Sequence, residues 1–362
     1  CISTSFNERI KFIMAYTTVN KSTDYFNTLL YTDTGANRTL TGVGFQPDFV
    51  WIKTRNHGNS HNLFDSVRGA NKTIRSNLDN AEVTTTDTLT AFTSDGFSLG
   101  VDASGYGVNY DNKNEVSWNW RGASSSGSAN AVGSINSTVS ANTTSGFAVV
   151  KYTGTGSNAT IGHGIGIAPE FILVKKYNTT QAWRCGHVGM GWTHGNNLNN
   201  GSTIYDSDTY WQDTAPTTTV FSVGTDTEVN GSGATHIAYC FAPVKGFSKF
   251  GSYTGNSNTN GPFIYCGFKP AFVLIKNLNS SNHWLIIDNK RSVFNLADDA
   301  LFANESSTEQ VDQSSASGIN IVSNGFKIRT TGNAAANYNN NNGDNYLFAA
   351  FAEAPLVGSN NV

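Results

Sequence analysis

Gly44-Phe45-Gln46-Pro47-Asp48-Phe49-Val50-Trp51-Ile52-Lys53 returns as Gly166-Ile167-Ala168-Pro169-Glu170-Phe171-Ile172-Leu173-Val174-Lys175. It returns again as Gly267-Phe268-Lys269-Pro270-Ala271-Phe272-Val273-Leu274-Ile275-Lys276. Each copy is a Gly/Pro turn feeding an apolar, β-branched and aromatic run that ends in Lys, which reads as a buried strand entered from a tight turn. Self-similarity at a long period decides architecture before any single residue does.

The likeness extends outward. Upstream of each copy, an aromatic-led strand closes at Tyr31-Thr32-Asp33, Tyr152-Thr153-Gly154 or Tyr253-Thr254-Gly255. Eight residues after each Lys stands His61, Trp183 or Trp284; four further on comes Asp65, His187 or Asp288, and three beyond that Arg68, Met190 or Arg291. Later come Gly96-Phe97, Val220-Phe221 and Gly325-Phe326, and each unit ends on an aromatic strand holding Trp118-Asn119-Trp120, Tyr239-Cys240-Phe241 or Phe348-Ala349-Ala350-Phe351. A unit of roughly a hundred residues is too long for a solenoid or propeller blade and long enough for a core of its own.

The chain has 362 residues, 14% charged and 12% aromatic, with a net charge of −3. So little charge with so many aromatics excludes a disordered chain, and the lack of a basic run speaks against nucleic acid. No apolar run reaches the roughly 18 residues of a spanning helix. The four cysteines, Cys1, Cys185, Cys240 and Cys266, form no CxxC pair and read as buried free thiols. Met14-Ala15-Tyr16 looks like a natural start, which leaves residues 1–13 as upstream sequence.

Short apolar segments with turn signals every eight to twelve residues predict an all-β chain of three tandem antiparallel β-sandwich, jelly-roll-like modules. The expected divisions are a tail at 1–27, modules at 28–125, 146–243 and 246–356, a Gly/Ser/Asn linker at 126–145, and a terminal tail at 357–362. Short helices are expected within 73–80 and 292–302.

Candidate chemistry is thin. Asp65 with Arg68, and Asp288 with Arg291, read as ion pairs tying a strand end to the next turn. His163, His187 and His194 match no metal motif, and no catalytic set, metal site or cofactor is expected. Asp111, Asn112, Asn114 and Glu115, or Asp226, Glu228 and Asn230, have the oxygens of a hard-cation site but read more simply as hairpin loops. The second unit carries aromatics that its sisters lack. Trp192, Tyr210 and Trp211, with His194 and Asp213 nearby, form the candidate ligand site, since aromatic plates among polar groups suit a sugar ring; the competing reading is that they anchor long loops.

With these motifs in hand, and with Asp65-Ser66-Val67-Arg68-Gly69-Ala70 and Ser94-Asp95-Gly96-Phe97, the chain resembles modules of tail-fibre-like and other virion proteins of tailed bacteriophages, notably marine cyanophages. The resemblance covers nearly the whole chain from Met14 and is weakest in the second unit. It implies a non-enzymatic virion protein made in the host cytoplasm and carried at a tail fibre or the capsid surface. Its partners would be other virion proteins, further copies in a homotrimer, and a host surface glycan. A decoration protein without a glycan ligand and a polysaccharide-degrading tailspike are the alternatives.

Overall fold

The computed structural model describes residues 17–110, 112–331 and 338–355. Cys1, Met14, Asp111 and the tail at 357–362 lie outside the described residues. The chain is all-β and antiparallel, built from sandwiched sheets.

One strand order recurs. In the first repeat the opening strand Phe26–Thr32 pairs with the closing strand Asn114–Trp120, which pairs with the quoted strand Phe49–Thr54, then Asn62–Asp65. The second repeat sets Phe147–Thr153, Thr235–Phe241, Phe171–Lys176 and Trp183–His187 in the same order. The third sets Ser248–Thr254, Asn345–Pro355, Phe268–Asn277 and Trp284–Asp288. A small sheet covers the outer face of each: Arg38–Thr41 with Gly96–Leu99, Ala159–Gly162 with Val220–Val223, and Phe263–Tyr265 with Gly325–Ile328.

The quoted strands are apolar throughout because both their faces are covered. Val50 and Ile52 face outward to Leu40, Phe97 and Leu99, and Ile172 and Val174 face Ile161, Phe221 and Val223. The alternate residues, Phe49 and Trp51, Phe171 and Leu173, point into an interior shared with the third repeat's Phe272 and Leu274. The interior is therefore divided differently from one core per module. Three inner sheets close face to face around a common aromatic centre, where Trp120, Phe241 and Phe351 stand at equivalent positions. Their ring centroids form a near-equilateral triangle: Trp120–Phe241 5.9 Å, Trp120–Phe351 5.5 Å and Phe241–Phe351 5.7 Å.

The expected linker is folded. Ser128–Asn130 and Ser137–Asn142 are strands that extend the second repeat's inner sheet through Phe147–Thr153. Their approach is fixed by the buried Asp48, whose carboxylate accepts from the N–H groups of Gly122 (2.7 Å), Ser124 (2.8 Å) and Ser125 (3.2 Å). The hydroxyls of Ser66 and Ser140 donate to it as well, each at 2.7 Å. Nor is the first tail loose where it is described: Val19 is fully buried in the central core. The stretches 73–80 and 292–302 are not helical. Among the described residues the α-helical turns are Asp208–Trp211 and Thr227–Asn230, capped by Ser207 and Asp226.

Deleting one ring of the central triangle should therefore destabilise every repeat. Trp120→Ala is expected to cost about 3–5 kcal/mol, read by chemical denaturation as a single transition moved to lower denaturant. Three separable transitions, with only the first displaced, would contradict the shared core.

Candidate functional site

The residues with the most evident chemistry hold the repeats to one another. Asp65 accepts the Arg68 Nε–H at 2.5 Å, and both side chains are fully buried. The same carboxylate oxygen accepts the Tyr239 hydroxyl of the second repeat at 2.8 Å. Asp288 likewise binds Arg291 at 2.5 Å and accepts the indole N–H of Trp118, from the first repeat, at 3.0 Å. Trp118 and Tyr239 are equivalent positions on closing strands; the third closing strand has Ala349 there, which has no donor. The matching acceptor is absent too. His187 replaces the Asp and donates from Nε2 to the Phe348 carbonyl at 3.1 Å, while its Nδ1 accepts from Gly189 N–H. Burial holds His187 neutral, its pKa pushed down to about 3.

A second ring of contacts runs in one sense throughout. His61 donates to the Phe302 carbonyl (2.9 Å), Trp183 to that of Arg75 (2.8 Å) and Trp284 to that of Asn197 (2.8 Å). First grips third, second grips first, third grips second. The Lys residues that close the quoted strands, Lys53, Lys175 and Lys276, are buried against backbone carbonyls, and burial lowers each pKa to about 8. At the seam of first and third repeats, Arg55 takes Glu309 in a fork at 2.9 and 2.7 Å, and Glu309 also binds Arg291.

The expected ligand site in the second repeat is not a surface. Trp211 and Tyr210 are buried at 1% and 8% exposure, packed in the sandwich with Phe221, Val223 and Val229. Trp192 is half-buried and meets Trp211 edge-on at 5.8 Å. Two glycines make room for these rings: a Cβ at Gly186 would stand 2.5 Å from Trp192 and 2.9 Å from Trp211, and one at Gly195 would stand 2.7 Å from Tyr210. Arg184 lies 4.5 Å above the Tyr210 ring and pairs with Glu228. His194 bonds to its neighbour Thr193, and Asp213 is exposed beyond the short helix. The loop aromatics are anchors, because a long loop over a small outer sheet needs apolar mass of its own.

The remaining candidates are also absorbed. His163 sits in its turn between the Thr217 carbonyl and the Ile165 N–H. Asp226 caps a helical turn, and Asn230 donates to the carbonyls of Ser157 and Gly224. Cys185, Cys240 and Cys266 are buried free thiols whose pKa values burial raises.

Two features escaped the sequence reading. The first is an acid pair in the first repeat, where Asp33 replaces the Gly154 and Gly255 of its sisters and Glu115 pairs across from Tyr31. Both carboxyls are buried, and their oxygens make no well-formed hydrogen bond to another group. Burial raises both pKa values, Asp33 to about 7, and a proton kept on Glu115 lets the two hydrogen-bond.

The second is a groove of about 490 Å³ where the second and third repeats join. Glu170 occupies the place of Asp48, but the short second junction at Pro243 to Gly246 does not fold back over it as the long first junction does over Asp48. Beside Glu170 lie Lys249 and Tyr265, with the Lys249 ammonium 5.8 Å from the Tyr265 ring. On the strand Phe263–Tyr265 both aromatics face out, at 48% and 53% exposure. Pairing with Phe97, Phe221 and Phe326 aligns Leu40, Ile161 and Ile264. Phe263 then stands where the sisters have Thr39 and Thr160, and Tyr265 where they have Thr41 and Gly162. Opposite Tyr265 is Gly325, where a Cβ would stand 2.0 Å from the Ile264 carbonyl oxygen. Lining up the weaker outer strands, rather than the loops, would have found this pair.

The profile of a family described as a domain of unknown function, DUF7483, matches residues 21–355. The chain belongs to the DUF7483 family. No curated protein matches it. The DUF7483 match runs across all three repeats as one span, the same span that the shared core unites.

The acid pair gives this DUF7483 chain a measurable pH dependence. Raised carboxyl pKa values mean that the folded state holds more protons than the unfolded one between about pH 4 and 7, so the pair's contribution to stability falls as pH rises through that window. Glu115→Gln, which keeps a donor beside Asp33, should melt higher than the parent at pH 8 by roughly 1–3 kcal/mol of stability and differ little at pH 4. Parallel melting curves across that range would show that the pair carries no such linkage.

Proposed function

We propose that this DUF7483 chain is a non-enzymatic virion protein of a tailed phage, tail-fibre-like, that contacts a glycan on the host cell surface. The observation that carries the reading is where the reactive groups are used. Asp65–Arg68, Asp288–Arg291, His61 and His187 are buried as ties between repeats. Such a scaffold is a rigid block whose outer sheets and loops remain for recognition. The sequence resemblance to tail-fibre-like proteins supplies the setting: synthesis in the host cytoplasm, then a place at a tail fibre or the capsid surface among other virion proteins. Trimerisation in the virion belongs to the same reading, and its contacts would come from the outer sheets, since the inner faces are consumed within one chain.

The test has two readouts. Antibody labelling should place the chain on the virion surface, and the purified protein should compete with virions for adsorption to host cells while releasing no new reducing ends from host polysaccharide. Labelling without competition would move the chain to a decoration role. Depolymerised product would make it an enzyme, and absence from the virion would overturn the proposal.

A further inference from the structure

The second repeat's rings are anchors, yet the reasoning that picked them out, that aromatics present in one copy of a scaffold are additions to it, also applies to exposed ones. Phe263 and Tyr265 replace Thr39 or Thr160 and Thr41 or Gly162, and burial does not explain them: they are about half exposed on an edge strand whose inward residue, Ile264, already fills the core position. Leaving two large rings in water is unfavourable for the free chain.

We infer that Phe263, Tyr265 and the adjoining groove, with Glu170, Lys249 and Lys245 on its walls, form a saccharide-binding site. The chemistry is that of a pyranose. Residues two apart on a strand lie on one face about 6.6–6.8 Å from each other, so the two rings offer neighbouring plates for the C–H faces of successive sugar units. Tyr265 is 53% exposed, which leaves its plate open to a ligand. Glu170 supplies a carboxylate acceptor for hydroxyls, and Lys249 an ammonium donor over the Tyr265 ring, 5.8 Å from its centroid. Burial raises the Glu170 pKa against the opposing pull of Lys249, as expected for a carboxylate at the floor of a cleft. The volume, about 490 Å³, lies within the range of small-ligand sites, roughly 300–1,000 Å³. At the first junction residues 122–125 cover Asp48, whereas Pro243 to Ser248 passes directly into the third repeat.

This inference rests on the glycan-recognition reading above and narrows it to one place. The experiment is a printed array of neutral, N-acetylated and uronic-acid oligosaccharides probed with the full chain, followed by titration of each hit. Tyr265→Ala should bind at least about ten-fold more weakly, a change of about 1.4 kcal/mol, with the melting temperature unchanged. Glu170→Gln should lose affinity in the same direction without touching the aromatic plates, and Phe294→Ala, an exposed ring (83%) elsewhere in the third repeat, should bind as the parent does. If the parent binds a sugar and both groove variants retain full affinity, the site assignment is overturned and glycan recognition stands. If the parent binds nothing on the array, the recognition reading fails and the site with it.

Discussion

Trp120, Phe241 and Phe351 meet at 5.5–5.9 Å where three closing strands converge, and this contact governs how the rest of the chain is arranged. For each ring to reach the centre, its sheet must turn an aromatic face inward. The strand that precedes it in space must then be apolar on both sides, with one face for the centre and one for the outer sheet. The quoted strands meet that demand with Phe49-Val50-Trp51-Ile52, Phe171-Ile172-Leu173-Val174 and Phe272-Val273-Leu274-Ile275. The polar groups nearest the centre then have to be satisfied by the neighbouring repeat, because water cannot reach them. Two sets of hydrogen bonds do so: the first runs from first to third and second to first and is closed by His187 of the second repeat donating to the third, while the second runs from first to third, second to first and third to second throughout.

The second of these sets is made entirely to backbone carbonyls and leaves sequence choice free, as His61, Trp183 and Trp284 show. The first is made to the side chains of Asp65 and Asp288 in two of its three places and does not. A buried Asp is tolerable where both an Arg and a neighbour's Trp or Tyr donate to it, as at Asp288 and Asp65. Facing Ala349, an Asp in the second repeat would lose that second donor, and an uncompensated buried carboxylate is strongly unfavourable. His187, neutral and bonded to a carbonyl, is the solution found there. The departure of the second repeat from its sisters at this position is thus explained by its neighbour's alanine.

Much of this was legible in the sequence. The Gly/Pro-to-Lys run announced buried strands and the repeat announced architecture, because both depend on local periodicity. What the chain hid was long-range. Asp48 reads as one turn residue among three, Asp, Glu and Ala, and only folding brings Ser124 and Ser140 to its carboxylate, so a folded segment resembled a Ser-rich linker. Trp211 and Tyr265 are both aromatics among polar neighbours, and nothing local tells the anchor from the exposed plate. Gly186 and Gly195, which vacate space for the buried rings, are the nearest thing to a signal. The acid pair was invisible because Asp33 and Glu115 are far apart in sequence and meet only through strand pairing.

Native-state hydrogen exchange tests the central claim most directly. Amides in the closing strands Asn114–Trp120, Thr235–Phe241 and Asn345–Pro355 all lie beside the common centre. If the three repeats share one core, these amides exchange only through global unfolding, with one opening free energy and one denaturant dependence for all three strands. Three distinct opening free energies, each with a denaturant dependence fitting about a third of the chain, would show three separately stable modules and contradict the account.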